Sequence, residues 1–483
     1  MRASFRQGPP QETTADTLCV GLFEGDESVP SELGGEAAAA LGALIESGEA
    51  KGKLRRVTIA HPAGGGPARV MAVGLGKRDE FSAERARIAA AVAMSRARDA
   101  GARKAAFAVP APGEAAIARG LTEGALLGAY RFDRYKSAKE PDADALEEVE
   151  IVAGSDLGTV VEEAGVVVEH ANRARDLQNL PANDLTPTAL AEHATARGGE
   201  IEGLEVEVLD RDRITELKMG GLLAVTKGSH EEPRLIVLRY DGGGPSLGVV
   251  GKAVTFDSGG ISIKPSAKMQ EMKMDMSGGS AAIEGTAAIA RLGLPVNLIT
   301  VVPATENMPA GHATRPGDII TISNGKTVEV NNTDAEGRLI LADGLAYAVT
   351  QGAERLVDLA TLTGAIITAL GSTFAGSFSN DDGFAETVET AATRAGEPVW
   401  RMPLHPDYSE LTRGRVADLV NAAEVRKASS AYAAAFLSEF VDGKPWVHLD
   451  IAGVAWDQDN RDYVGKGASG YGVRLLVELA RTL

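Results

Sequence analysis

The chain has 483 residues, 44% of them hydrophobic but only 5% aromatic, so it is long enough for two domains whose cores lean on Ala, Val and Leu. A formal net charge of −18 disfavours a phosphate-binding surface, and nucleic acid is not expected as a principal partner. The single cysteine, Cys19, excludes an internal disulfide, Met1–Gly8 lacks a signal peptide's apolar core, and no stretch is long and apolar enough to cross a bilayer; a cytoplasmic protein without a membrane partner is expected.

Residues 1–16 are polar and expected to be disordered at the start. Strands are predicted at Thr17–Phe23, Val57–Ala60, Ala68–Gly74, Ala105–Val109 and Glu148–Val152, and helices at Ala37–Ile45, Ala83–Ala100 and Gly113–Tyr130. This alternation spells a smaller N-terminal α/β domain over residues 1–158. Val73–Lys77 lacks the spacing of a phosphate-binding loop and reads as a tight turn. The basic, aromatic segment Tyr130–Ser137 reads as a packed surface loop rather than a nucleic-acid contact. A linking helix is predicted over 159–175, with acids early and arginines late.

The larger α/β domain, 176–483, is predicted to hold a mixed central sheet. The segment Asp176–Pro187 is rich in Asn and Pro and reads as an irregular loop, with Thr186-Pro187 opening a helix. Strands follow at Glu205–Val208, Leu235–Arg239, Leu247–Val250, Pro295–Val302, Arg355–Leu359 and Val447–Ile451, and helices at Ala281–Leu292 and Leu339–Val349. None of the seven histidines shows a paired ligand spacing, although His312 lies in a loop near the motifs described next.

Chemistry-bearing residues concentrate in two stretches. Asn331–Leu339 holds two acids, two amides and an arginine between a β-branched run, Thr327–Val330, and a helical pattern, which is where α/β folds place chemistry. If the chain is extended there, Asp334 and Glu336 project to one side and call for a cation. An acidic loop in which Asp334 caps the next helix accounts for these residues equally well, so both readings stand. The second stretch, Gly251–Gly260, brings Lys252 and Asp257, with Lys264 and Asp275 close behind. Four carboxylates beside Lys252, Lys264 and Arg338 would be neutralised by two divalent ions, and a sulfur-free donor set suits Zn, Mn, Mg or Co.

These motifs resemble the leucine aminopeptidase family, dinuclear-metal exopeptidases of the cytosol aminopeptidase type. The likeness rests on Asn-Thr-Asp-Ala-Glu-Gly-Arg-Leu at Asn332–Leu339, Gly-Lys-x-x-Thr-Phe-Asp-Ser-Gly-Gly at Gly251–Gly260, Ile263-Lys264-Pro265, Met272-Lys273-x-Asp275-Met276 and Asp358–Ala365, and runs from Asp176 to Leu479. The resemblance implies two divalent metal ions, Mn or Zn, held by Lys252, Asp257, Asp275, Asp334 and Glu336, with Asp257 and Glu336 bridging. It implies a catalytic pair of Lys264 and Arg338, the arginine holding a bicarbonate-like anion. Met272, Thr361, Gly364 and Ala452 are the expected substrate-binding residues. Peptide substrates with N-terminal Leu or other apolar residues and a homo-hexamer follow from the same resemblance. Ala253 stands where the family usually has glycine, and Ser277–Ser280 departs from its glycine-alanine step; both keep side chains small. Two competing readings are an oligomeric scaffold or regulator with secondary catalysis, and a two-metal phosphoesterase.

Overall fold

In the computed structural model, which describes residues 1–110, 113–137, 146–424, 427–457 and 462–483, the chain divides into two compact units. The first is Met1–Glu169 with a short later segment ending at Gly465. Its six-stranded sheet has the order Arg2–Gln7, Glu148–Ala153, Lys104–Ala108, Thr17–Phe23, Arg69–Gly76, Val57–Ala60. All neighbours are parallel except Val57–Ala60, which runs antiparallel to Arg69–Gly76. Parallel pairing requires crossovers, and the helices Gly35–Glu46, Ala83–Asp99 and Ala115–Gly128 stand between successive strands. The scarcity of aromatics shows in how the last two pack. A Cβ on Gly120 would lie 2.3 Å from the Ala83 carbonyl oxygen, and one on Gly124 2.1 Å from that of Arg87, so small residues set the helix separation.

The expectation of disorder at residues 1–16 is overturned. Arg2–Gln7 is an edge strand paired in register with Glu148–Ala153. An edge strand needs backbone pairing on one side only and tolerates polar residues, and both Arg2 and Ser4 hydrogen-bond to Glu148. The Tyr130–Ser137 segment is irregular and largely exposed.

The helix Gly158–Asn179 carries the chain into the second unit. It is longer than the 159–175 predicted, because Asp176–Asn179 continue the helix instead of opening the loop; Pro181 then bars the helical conformation to its predecessor. Thr186 caps the next helix, Pro187–Glu200, its hydroxyl accepting from Ala189 N at 3.2 Å.

Among the described residues the sheet of the second unit has nine strands and is mixed. Its main order is Val399–Arg401, Ala375–Ser379, Trp446–Asp450, Arg355–Ala360, Ser246–Gly251, Asn297–Asn307, Arg234–Asp241, Leu204–Leu209, and Ala253–Asp257 also pairs with Asn297–Asn307. The four strands Trp446–Asp450, Arg355–Ala360, Ser246–Gly251 and Asn297–Asn307 are mutually parallel. Their near-continuous apolar runs are buried, with the helices Ser277–Arg291 and Gly337–Thr350 packed against them. The carboxyl ends of such strands form the ligand-binding edge of an open α/β sheet. Thr327–Val330 is a strand but not of this sheet. It belongs to a separate three-stranded sheet, antiparallel to Asp318–Thr321 and parallel to Leu419–Val420, so the acidic motif reaches the edge from outside the central layer. No helix among the described residues is long and apolar enough to cross a membrane.

Candidate metal centre

Several loops meet at the carboxyl edge of the parallel strands. Lys252 lies between Ser246–Gly251 and Ala253–Asp257, where its N–H donates to Leu359 O at 3.0 Å and its carbonyl accepts from Gly279 N at 2.7 Å. This close passage explains the small residues around it: a Cβ on Gly279 would lie 2.7 Å from the Ala253 Cβ. Asp257 ends its strand, and Gly259 follows with φ +86°, donating to Asp257 Oδ1 at 2.9 Å. Any side chain at Gly259 would meet both backbone strain and Asp334 Oδ1, 2.8 Å from an added Cβ. Asp275 closes the short 3-10 turn Met269–Met274, just before the helix Ser277–Arg291.

Asp334 and Glu336 do converge, but not along an extended chain. The backbone turns at Thr333 and Asp334, Asp334 N donates to Asn332 Oδ1 at 2.9 Å, and Glu336 is already helical with φ −72° and ψ −37°. Asp334 is not the cap of the helix Gly337–Thr350; that position is Glu336, whose side chain makes no capping hydrogen bond. One oxygen each of Asp257, Asp334 and Glu336 lie within 4.8 Å of one another.

Two ammonium groups are interleaved with the four carboxylates. Lys252 Nζ lies 2.7 Å from Asp275 Oδ2 and 2.8 Å from Glu336 Oε1, and donates to Thr361 O at 3.1 Å. Gly337 leaves room for it, since a Cβ there would sit 2.7 Å from Nζ. Lys264 Nζ lies 2.7 Å from Asp257 Oδ2 and 2.6 Å from Asp334 Oδ1. Two ammonium groups cannot balance four carboxylates in a site this enclosed. Burial lifts Asp257 to about 6, with Glu336 adding like-charge repulsion, and burial also raises Asp275 and Asp334. Burial works against the ammonium forms of both lysines, yet the carboxylates outweigh it and hold the amines above their ordinary value. Burial likewise opposes ionised Glu336, and Lys252 and Lys264 overcome it. Glu336 Oε2 is buried with no hydrogen-bond partner. A cluster short of positive charge that leaves a carboxylate oxygen orphaned fits divalent cations.

Arg338 is buried in the first turn of the same helix. Its Nη1 donates to Asn421 O at 2.7 Å, and the guanidinium lies 5.3 Å from the Tyr432 ring centroid. Its Nε has no hydrogen-bond partner, and among the described residues no carboxylate lies within ion-pair distance, so Glu336 acts on it only from farther off. Thr361 is tied to the cluster through its carbonyl and through its hydroxyl, which donates to Asp275 Oδ1 at 2.8 Å. Gly364 opens the helix Gly364–Leu370 just beyond it, and Ala452 follows the strand Trp446–Asp450. Met272 lies one short turn before Asp275, whose N–H donates to Met272 O at 3.4 Å. His312 is exposed, and among the described residues no hydrogen bond or ion pair joins it to the cluster.

Three buried residues that sequence reasoning missed hold these loops. Asn307 Nδ2 donates to Asp257 Oδ1 at 2.8 Å and to Thr333 O at 3.0 Å. The Asp450 carboxylate accepts from Leu362 N at 3.1 Å, Thr363 Oγ1 at 2.6 Å and Ala452 N at 3.3 Å, joining the two loops expected to meet substrate. Asn421 bonds the acidic loop. Each sits at a strand end with no local pattern to distinguish it.

The chain is similar to known proteins over nearly its whole length. The cytosol aminopeptidase family matches in both parts, its catalytic domain over residues 172–477 and its N-terminal domain over residues 19–139. A probable cytosol aminopeptidase of Roseiflexus castenholzii is 44% identical over 497 residues, covering 100% of this chain and 99% of the relative. One of Solibacter usitatus is 44% identical over 489 residues, covering 99% of each. Among solved structures, the bottromycin maturation enzyme BotP in complex with Mn is similar with a TM-score of 0.87 at 37% identity, covering 97% of this chain and 99% of that one. The resemblance drawn from the motifs is thereby borne out, and the chain belongs to the cytosol aminopeptidase family.

Proposed function

We propose that this aminopeptidase works through two divalent metal ions and prefers Leu and other apolar residues at the amino end of its peptide substrates. The observation that carries the reading is the convergence of four carboxylates on two lysines with Glu336 Oε2 left unpartnered. Lys252, Asp257, Asp275, Asp334 and Glu336 would hold the ions. Mn or Zn suits oxygen and amine donors without sulfur, and the similar BotP structure contains Mn. Bound there, the ions would supply a water acidified towards neutral pH and a Lewis acid for the scissile carbonyl.

The chain's own groups divide the remaining work. Lys252, with only 3% of its side chain exposed, faces the cluster and would coordinate as the neutral amine, since a nearby dication reverses the effect of the carboxylates on it. Lys264 is 21% exposed, keeps its proton and would neutralise the oxyanion as the carbonyl is attacked. Arg338, charged and without a carboxylate partner in direct contact, would hold a small anion such as bicarbonate, which would supply a proton acceptor there. Thr361, Gly364, Ala452 and Met272 would contact substrate, and a free α-amine on it would offer the ions a further donor that a blocked peptide lacks. A cytoplasmic homo-hexamer is the location and assembly attached to this reading, supported by the relatives' name and by the family resemblance. The test is hydrolysis of leucine-p-nitroanilide beside p-nitrophenyl phosphate, by metal-free protein and after addition of Mn or Zn. Metal-restored cleavage of the anilide alone is expected; phosphate turnover without anilide turnover overturns the reading.

A further inference from the structure

We propose that Asn421 is a positioning residue for the metal centre: its side-chain amide holds the loop that carries Asp334 and Glu336, and its carbonyl seats Arg338. The strand Thr327–Val330 ends just before this loop, and ladder pairing ends with it. The neighbouring strand Leu419–Val420 stops at the same level, where Asn421 N adds one more backbone bond to Glu329 O at 2.9 Å. Beyond that point the Asn421 side chain takes over. Its Oδ1 accepts from Asn331 N at 2.8 Å and Asn332 N at 3.3 Å, while its Nδ2 donates to Asn332 O at 2.7 Å and Ala335 O at 3.4 Å. Two acceptor positions and two donors are the full capacity of a carboxamide, and all four act on one short loop. The residue is wholly buried, so no water competes for these bonds.

Position is transmitted in two directions. On the far side of the loop, Thr333 Oγ1 donates to Gly259 O at 2.7 Å and accepts from Ser262 N at 2.8 Å, which fixes the loop against the Asp257 segment. On the near side, Asn421 fixes the same loop against Arg338, whose Nη1 reaches Asn421 O at 2.7 Å. Tyr432 braces this arrangement: its hydroxyl donates to Val420 O at 2.5 Å and its ring lies beside the Arg338 guanidinium. With Thr333 holding the Asp257 side, Asn421 thus sets where the loop bearing two carboxylates stands relative to the arginine. Residues that orient metal ligands in this way contribute about 10–100-fold to metal affinity or activity.

The proposal rests on the two-metal reading, and the test separates the two. Asn421→Asp keeps the shape and both acceptor bonds, but sets a carboxylate oxygen against the carbonyls of Asn332 and Ala335; Asn421→Ala removes all four bonds. Mn affinity is measured by competition with a chromophoric chelator, and kcat and KM for leucine-p-nitroanilide are followed as Mn is raised. Both variants are expected to bind the weaker ion about 10–100-fold less tightly, to lose kcat with KM within about twofold, and to recover kcat as Mn is raised. Should Asn421→Ala fail to melt cooperatively, Asn421→Asp decides alone. Two ions on wild-type protein with unchanged affinity on the folded variants overturns the role of Asn421 by itself. Fewer than two ions on wild-type protein overturns the two-metal reading and this proposal with it.

Discussion

Lys264 and Lys252 look alike in the structure, each bridging two carboxylates, yet opposite protonation states are expected of them once metal is bound. Lys264 Nζ touches Asp257 and Asp334 from the rim, whereas Lys252 Nζ sits between Asp275 and Glu336 in the interior. Lys264→Ala is therefore expected to retain both ions and to lose about 10²–10³ in kcat, roughly 2.7–4 kcal/mol, with KM little changed. Lys252→Ala removes a donor atom and is expected to lose one ion. Stability adds a second signature. Without metal, Lys264→Ala leaves Asp257 and Asp334 facing each other with no ammonium between them, so the metal-free Tm falls; bound ions replace the missing charge, so the loaded Tm falls less. Metal analysis of both variants, steady-state kinetics and paired melting curves measure all of this. Loss of metal from Lys264→Ala with retention by Lys252→Ala would show the two roles reversed.

Three other outcomes follow from the same geometry. Gly337→Ala should push Lys252 aside, because the new Cβ would lie 2.7 Å from Nζ, and so weaken metal binding and kcat although alanine favours the helix by about 0.5–1 kcal/mol; wild-type metal affinity in that variant would refute the close fit. Asp343 is buried and lifted to about 7 by burial, with the N–H groups of Ser323 and Leu222 donating to its two oxygens. A carboxyl raised on folding favours the protonated native state, so the contribution of Asp343 to the stability of metal-free protein should fall as pH rises from about 4 to about 7 and then level off. Asp343→Asn should flatten that slope while costing about 1–3 kcal/mol for an N–H left unpaired, and parallel Tm profiles for the two proteins would refute the assignment. Nα-acetyl-leucine-p-nitroanilide should resist cleavage, and a rate comparable to that of the free amine would contradict the proposed use of the substrate's amino group.

Much of the centre was legible in the sequence because the acidic motif and the lysine motif are each local, dense in charge and flanked by apolar runs that mark strand ends. The buried strands of the second unit were legible for the same reason, as short apolar runs between turn residues. What escaped lies in contacts far apart in the chain. The polar strand Arg2–Gln7 is ordered by a partner 146 positions away, and Asn421 grips the acidic loop across 89. Nothing near either residue announces its partner. The approach of Asp334 to Glu336 was anticipated, but through an extended backbone; the turn that produces it depends on an Asn332 side-chain bond and on the small sheet that delivers the loop, neither of which periodicity reveals.

Whether this carboxylate cluster holds two ions is tested most directly by counting metal per folded chain. Mn or Zn bound to dialysed wild-type protein and to Glu336→Ala is measured by elemental analysis, with circular dichroism confirming the fold. Two ions per chain are expected in the wild type, and reduced occupancy at both positions with no turnover in the variant. A variant that keeps two ions and full activity would contradict this expectation.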